Sequence, residues 1–592
     1  MLITDVSVAT AVASRVPEAR VLVRDGSGQP WLIGAVRHRQ VHSVQVGQVS
    51  MAVLGDPVMA RGTVDAVARR GPDALLALAG AFQLAQLGPA GADVWTDPVG
   101  YHRAYTATWR GRLVVGSHPG PLAWLTGAGL DRRWWAARLC SPEMPTALRD
   151  LCSPYAGVCP VPAGYRLQIP REGGASRRSP WWHPPNADLA LPAAAGLLRD
   201  RLSAAVTGRI SAADGPVTVQ LSGGLDSTAL AIVAARTAAP QGVLLATVQA
   251  ASSANTDTMW AQRVAGALPA ARHRIVGVEE IPGFFEDLPE ATPRFAEPVG
   301  HIAGVARTRY VARLLAAHGS LVHLNGQGGD EAVTAPLAYL RDLLGRDLRG
   351  GWRQIREQAA LRGMSTRRLA AATATTGSYD RWMRGIDPRR EVDPATAAVE
   401  WEAPPLMPAW VTNEAVALVT DSLRQTDAPT TVGLGRTRHA TLARLRAAAH
   451  GAHLYGQVQA AHGLEPAFPY LDRAVVEAAL SCRPWESTDP RQPKPLLVTA
   501  LEPLAPAGTM SRRDKGHYTA ELYAGWRRHR DHLLDLLAAP ILGDLGLIDP
   551  GRLRHAARTF ATSGLPPGLL TDTLALELWL RDQPAPLRRA DD

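Results

Sequence analysis

"PVTVQLSGGLDSTALAIVAARTA", Pro216 to Ala238, places two textures side by side. PVTVQL is a β-branched, apolar run of strand length. From Asp226 onward, alanine, leucine and isoleucine give a helical composition. Between them Ser222, Gly223, Gly224, Leu225, Asp226 and Ser227 expose much backbone and little side chain. Free N–H groups in such a loop, and in the first turn of the next helix, attract anions. Ser222, Ser227 and Thr228 add hydroxyl donors. The Walker-type phosphate loop carries a lysine. Here the loop carries an aspartate instead. A carboxylate beside a phosphate cradle needs a cation between them, so Asp226 reads as a magnesium ligand. A capped tight turn is the plainer alternative. The full S-G-G-x-D-S pattern after a buried strand favours pyrophosphate binding.

The alternation continues downstream. "GVLLATVQ" predicts a second strand and Thr256 to Leu268 a second helix. "HRIVGV" predicts a third strand, His301 to His318 a long helix, and "LVHLNG" a fourth strand. Pro192 to Thr207 has helical spacing ahead of them. Strands alternating with helices predict a parallel, doubly wound sheet. Beyond Glu331 the pattern is helical: Ala332 to Leu344, Trp352 to Arg362, Arg436 to His462 and Arg473 to Ser481. Before about residue 170, "RVLVRD", "VHSVQVGQV", "DVWTDPVGYHRAYTATW" and "GRLVVGSH" predict strands. Leu75 to Leu84 and Trp134 to Leu139 predict helices. Pro170 to Asp188, rich in Pro, Gly, Ser and Arg, reads as an interdomain linker.

The chain has 592 residues. One core rarely grows past roughly 250–300 residues, so at least two domains are expected. The net charge of +9 is spread out. Without a dense Lys/Arg block it does not favour nucleic acid. Cys140, Cys152, Cys159 and Cys482 form no C-x-x-C pair, which argues against zinc and iron–sulfur clusters. Reduced thiols fit a cytoplasmic protein. "MLITDVSVATAVASR" has no basic n-region and does not read as a signal peptide. The apolar runs are shorter than the ~20 residues a membrane span requires.

Ser222-Gly223-Gly224-Leu225-Asp226-Ser227 resembles the PP-loop of the ATP pyrophosphatases, and more narrowly the asparagine synthetase branch. Members of that branch activate a carboxylate as its acyl-adenylate, release pyrophosphate and pass the acyl group to an amine. A second carboxylate is then expected, since two-metal stabilisation of a triphosphate uses one. Asn325-Gly326-Gln327-Gly328-Gly329-Asp330-Glu331 resembles the family segment that supplies it. The resemblance implies that Asp226 and Asp330 hold Mg2+, and that Leu221, Ser222, Gly223, Gly224, Asp226, Ser227, Val248 and Gly326 bind ATP. Val248 falls on the strand whose backbone meets adenine. Lys515, in "SRRDKGHYTAELY", matches the family lysine near the α-phosphate. A cation there would stabilise charge developing in adenylation and in the tetrahedral step. Asp257 sits at an acidic helix start, where N-capping is an equally good reading. Arg512 and Arg513 are weaker phosphate candidates, and Glu297-Pro298 is a weak match. Glu465, Pro469, Tyr470, Leu471 and Asp472 match "E-x-R-x-P-[FY]-L-D". Ala467 stands where asparagine synthetases carry arginine, which puts asparagine formation in doubt.

Leu78 to Phe82, Thr96 to Gly100, Val115 to Ser117 and Pro162 to Tyr165 resemble the family's glutaminase domain. That enzyme uses an N-terminal cysteine as nucleophile. Residue 2 here is Leu2, and no cysteine precedes Cys140. The expected architecture is therefore α/β with two parts. Residues 1–185 form an αββα glutaminase-like (Ntn-type) domain without its nucleophile. Residues 190–592 form a doubly wound, parallel-sheet PP-loop synthetase domain with a large helical portion.

Nucleophile-free relatives include β-lactam synthetases, carbapenam synthetases and lasso peptide cyclases. The first two use a tyrosine–glutamate base that has no clear counterpart here, and Gln327 cannot deprotonate an amine near neutral pH. "DKGHYTAELYAGWRRHRDHLLDLL", "LGLIDPGRLRHAA" and "TLALELWLR" are similar to lasso cyclases. That resemblance implies an Asp or Glu side chain of a core peptide joined to its own N-terminal amine. It implies a leader peptidase and a leader-binding RRE protein as partners. Trp352, Trp382, Trp401 and Trp410 would line a mould for the folded tail, or else simply pack helices. A small-molecule amide or β-lactam synthetase is the second reading. An inactive scaffold that binds a processing protease or precursor is the third.

Overall fold

The computed structural model describes residues 2–3, 20–34, 41–58, 63–171, 175–213, 215–238, 242–288, 295–426 and 434–584. Most of "MLITDVSVATAVASR" and part of the expected linker lie outside these. Among the described residues, twelve strands precede residue 190: β1 (Leu2–Ile3), β2 (Arg20–Arg24), β3 (Pro30–Gly34), β4 (Val41–Val46), β5 (Val49–Val58), β6 (Ala79–Gly88), β7 (Gly91–Trp95), β8 (Ala104–Trp109), β9 (Arg112–Gly116), β10 (Cys159–Val161), β11 (Tyr165–Pro170) and β12 (Arg177–Pro180). They pair into two six-stranded antiparallel sheets, ordered β10-β8-β9-β1-β3-β2 and β12-β11-β7-β6-β5-β4.

Period-two alternation decides how these sheets stack. Leu32, Ala104 and Val115 of the first sheet share a core with Ala52, Leu54, Ala85 and Val94 of the second. Their chain neighbours turn the other way. Met51, Val53, Leu84 and Trp95 pack on the helices Thr63–Ala68 and Pro72–Leu76. Ile33, Tyr105 and Val114 pack on Pro119–Thr126 and Arg132–Arg138. The layers therefore run helix, sheet, sheet, helix, as an αββα fold requires.

One expectation fails in this half. Leu75 to Leu84 is not one helix. The helix stops at Leu76, and the residues from Ala79 on enter β6. Gly80 at φ 111° lies where a Cβ would strike Asp56 O at 2.2 Å, so close antiparallel pairing with β5 overrides the local apolar pattern. Part of the expected linker, Arg177–Pro180, pairs along β11 as an edge strand.

The second half carries β13 (Val217–Gln220), β14 (Val243–Val248), β15 (Ala271–Val276), β16 (Val322–Leu324) and β17 (Glu465–Ala467). All four pairings are parallel, in the order β15-β14-β13-β16-β17. β13 is buried from Val217 to Val219, as expected of a central parallel strand. The helix Leu225–Thr237 is apolar nearly all round and correspondingly buried. β17, inside the E-x-R-x-P-like motif, was not anticipated as a strand. Ala332 to Leu344 breaks into Gly329–Val333 and Tyr339–Arg346 with Pro336 between them.

The two halves share buried material. Ala81, Val99, Tyr101 and Trp182 join the core of the parallel sheet. Arg209, on the helix Leu191–Ala212, donates Nη1 and Nη2 to Asp472 at 2.6 and 2.7 Å, and Nε to Asp56 of β5 at 2.6 Å. Asp472 of the "PYLD" motif is thus a structural anchor. No helix among the described residues is long and apolar enough to cross a membrane.

Candidate active site

The order of the parallel strands locates the site. From β13 the chain steps outward to β14 and β15, then returns to place β16 on the other flank of β13. Loops leave the carboxyl ends of β13 and β16 side by side at that switch point, which is where open α/β sheets bind ligands. Asp226 lies in the first turn of the helix that follows the first loop, and Asp330 in the first turn of the helix that follows the second.

Glycines allow these loops to meet. A Cβ on Gly329 would lie 2.5 Å from Asp226 Cγ, and one on Gly326 would lie 3.2 Å from both Asp226 Cβ and Ser227 N. Gly223, at φ 80°, rests against Asp257 O, which a Cβ would meet at 2.3 Å. The loop after β13 is braced internally. Ser222 N–H donates to Ser227 Oγ at 3.1 Å, and Ser227 Oγ donates to Gly224 O at 3.0 Å. Leu221 N–H reaches Ala246 O at 2.8 Å and so holds the loop base on β14. Ser222 is exposed, while Leu221, Gly223 and Ser227 are buried. Val248 ends β14 on the same edge of the sheet.

The chain has two lysines, and both reach these aspartates. Lys515 Nζ lies 2.9 Å from Asp330 Oδ2, on a side chain 76% exposed. Lys494 Nζ lies 2.6 Å from Asp330 Oδ1 and also contacts Asp226 Oδ2 directly, on a side chain only 13% exposed. Lys494 is the functional residue that the sequence reading passed over. Its signals were rarity and its place beside Pro495. It occupies the left-handed region at φ 50°, a strained conformation for a non-glycine residue that clusters at functional sites.

The electrostatics follow from this packing. Burial would raise the Asp330 carboxyl, but Lys494 and Lys515 outweigh it and hold that carboxyl well below the usual range. Burial pushes Asp226 up against the pull of Lys494. Burial disfavours the Lys494 ammonium, yet the two aspartates hold its pKa above the ordinary lysine value. Asp226 Oδ1 is buried with no hydrogen-bond partner among the described residues.

The donor set fits Mg2+. That ion uses one or two carboxylates and completes its shell with phosphate and water. Asp226 and Asp330 are such a pair, and Asp226 Oδ1 is an acceptor still open. Lys494 supplies the positive charge between them. No group of three or more His, Cys, Asp or Glu with metal-ligand geometry occurs among the described residues.

Asp257 does not cap its own helix. It accepts from Arg512 Nη2 at 2.6 Å, Tyr518 OH at 3.2 Å and Gly516 N at 3.2 Å. It therefore holds the segment that carries Lys515. Arg512 is buried in that contact, whereas Arg513 is exposed. Glu297 also lies apart from the aspartates, buried among Arg103, Tyr105 and His450. Trp410 is fully buried, Trp401 nearly so, and Trp382 stacks on Tyr379. These three pack helices, and only Trp352 of the four is exposed, at 48%.

A family model described as asparagine synthase matches residues 197–581, more than half of the chain and both aspartate loops. The chain belongs to the asparagine synthase family. Comparison with curated proteins found no match. Among solved structures, the chain is similar to the allosteric regulatory enzyme of purine biosynthesis, at 12% identity and a TM-score of 0.17, covering 41% of this chain and 63% of that one. It is likewise similar to glutamine phosphoribosylpyrophosphate amidotransferase from B. subtilis, at 12% identity and a TM-score of 0.17, covering 48% of this chain and 63% of that one. This asparagine synthase family chain thus spans just under two thirds of the length of either.

Proposed function

We propose that this chain is an ATP-dependent, amide-forming ligase, a peptide macrolactam synthetase of the lasso cyclase type. A core-peptide Asp or Glu carboxylate attacks the α-phosphorus of ATP, and pyrophosphate leaves. The peptide's own N-terminal amine then attacks the acyl carbon, AMP leaves and the ring closes. The observation that carries the adenylation step is the convergence of Asp226, Asp330, Lys494 and Lys515 at the switch point. Mg2+, held by Asp226 and Asp330, would neutralise triphosphate charge. Lys494 orders the two carboxylates before nucleotide arrives. Lys515, on an exposed side chain, can turn from Asp330 toward charge developing at the α-phosphate or acyl oxygen. The loop N–H groups around Ser222 to Asp226 receive pyrophosphate oxygens.

An amine drawn from the substrate itself fits the thiols. Cys140, Cys152 and Cys482 are buried, and burial pushes each of them up, Cys140 and Cys482 to about 12. A nucleophilic thiol requires the opposite shift. The C-terminal sequence resemblance supports a peptide substrate, and with it a leader peptidase and a leader-binding RRE protein as partners.

The test is ATP–pyrophosphate exchange and product mass with linear Asp- or Glu-containing core peptides and Mg2+, using Asp226→Ala and Lys515→Ala as controls. The expected result is peptide-dependent pyrophosphate and AMP, with a product lighter by one water. Turnover with free amino-acid derivatives alone would move the assignment to a small-molecule amide synthetase.

A further inference from the structure

The helix Leu348–Leu361 follows Tyr339–Arg346 in the helical portion beyond Asp330. Its inner side is fully occupied. Ile355 and Ala359 pack with Tyr339, Leu340 and Leu369, and Gln358 Nε2 donates to Tyr339 OH at 3.1 Å. Asp347 caps the helix by accepting from Gly350 N at 2.9 Å. Gly351 weakens a helix interior, but a Cβ there would lie 2.7 Å from Leu344 Cδ2, so the glycine lets the two helices fold tightly together. The outer side of Leu348–Leu361 is therefore presented on a braced support.

That outer side combines exposed apolar surface with unpaired positive charge. Seven large hydrophobic side chains stand well exposed among the described residues, and three of them lie on this one helix: Leu348 at 74%, Trp352 at 48% and Leu361 at 60%. Leu348 and Trp352 are four residues apart and so share a face. Arg349, Arg353 and Arg356, spaced i, i+4 and i+7, run beside them and are all exposed. Among the described residues none of the three makes an ion pair or a side-chain hydrogen bond. Glu357, the one acid within the helix, pairs with Arg491 at 2.7 Å instead. Three guanidiniums thus surround one tryptophan along about 10 Å of helix.

Tryptophan and arginine are the side chains enriched at the energetic centres of protein–protein contacts, and the guanidinium fork matches a carboxylate. We propose that this face docks an acidic, amphipathic helical segment of another protein. Its carboxylates pair with Arg349, Arg353 and Arg356, and its apolar side chains cover Trp352 and Leu348. This docking stands apart from the reaction at the switch point. Nucleic acid fits less well, because the exposed Asp342 and Asp347 precede the helix and interrupt the basic stripe that a phosphate backbone follows. An anionic membrane surface fits less well too, because the apolar stripe that would enter it is already buried against neighbouring helices.

The probe is a fluorescein-labelled synthetic helix with glutamates at i, i+4 and i+7 and a leucine at i+3, titrated with the full chain. Saturable binding is expected, weakening about 10-fold as salt rises from about 50 to about 300 mM, with amide exchange slowed along Leu348–Leu361. Both readings need only the unmodified protein. The triple variant Arg349→Gln, Arg353→Gln, Arg356→Gln and the single variant Trp352→Ala should each weaken binding about 10-fold, with melts that match the unmodified protein. Absence of binding overturns the proposal, as does equal binding of the same peptide with glutamine for glutamate, or protection confined to another part of the chain. Tighter binding of duplex DNA or of phosphatidylserine vesicles through the same side chains assigns the face to another class of partner and overturns it. Self-association of the full chain that Trp352→Ala abolishes would make a second copy the occupant and overturns it as well.

Discussion

Arg512 Nη2 donates to Asp257 Oδ1 at 2.6 Å, with both side chains buried. This contact joins the helix beneath the Gly223 loop to the segment that delivers Lys515. Asp257→Asn keeps the size of the side chain but removes its charge and one of its two acceptor oxygens. The expected outcome is a ~10–100-fold fall in kcat with the KM for ATP changed less than about 3-fold, since misplacing a catalytic group by about 1 Å costs up to 10²-fold. Steady-state pyrophosphate release checks it. An unchanged kcat would show that the segment is held by other contacts.

Lys494 and Lys515 should separate in their effects on stability. Either alanine variant should lose ~10²–10³-fold in pyrophosphate release. Lys494→Ala also leaves two neighbouring carboxylates without their buried cation, so its thermal midpoint without nucleotide should drop. Lys515 is mostly exposed, and its loss should leave that midpoint nearly unmoved. Paired melts with and without Mg-ATP measure both. Equal midpoints for the two variants would contradict the bridging role of Lys494.

Gly329→Ala places a methyl 2.5 Å from Asp226 Cγ. The Asp226 carboxylate must move, and adenylation should fall by about 10²-fold or more. Gly345, whose Cβ would meet nothing within 4 Å, supplies the control substitution. Exchange kinetics on Gly329→Ala and Gly345→Ala decide the matter, and similar activity in both would refute close apposition of the loops.

Glu297 tests the contact between the halves. Burial would raise its carboxyl, but His450, Arg103 and the Tyr105 hydroxyl hold it well below the usual carboxylate range. A folded value below the unfolded one, roughly 4.3, gives stability that is present above that pH and lost as pH falls toward the folded value. Glu297→Gln should therefore lower the thermal midpoint at pH 7, consistent with a loss of about 3–5 kcal/mol for breaking a buried pair. The gap from the unmodified protein should narrow steadily below about pH 4. A gap constant from pH 7 to pH 3 would rule out an ionised Glu297 as its source.

The parallel sheet was legible because β13, β14 and β15 are continuous apolar runs with glycine or polar loops behind them. β17 was not, since its three residues sit within a motif and pair only when β16 is already in place. Leu75 to Leu84 misled for the same reason: its apolar spacing suits a helix, and only the neighbouring β5 makes a strand of it. Asp226 and Asp330 could be read from their loops, because local chemistry sets what a Gly-rich turn with one carboxylate can bind. Lys494 and the Asp257–Arg512 contact could not, because neither residue has a local partner that reveals its role.

Sequence alone determined the alternation of strands and helices around β13, the two aspartates and the Gly-rich loop ahead of the first, because each rests on local pattern along the chain. Tertiary structure alone decided that Lys494 bridges the aspartates from 268 residues beyond Asp226. It also decided that Asp472 anchors the halves and that three of the four tryptophans pack helices. Those roles depend on long-range burial, where a side chain's partner is chosen by the packed fold and not by its neighbours in the chain.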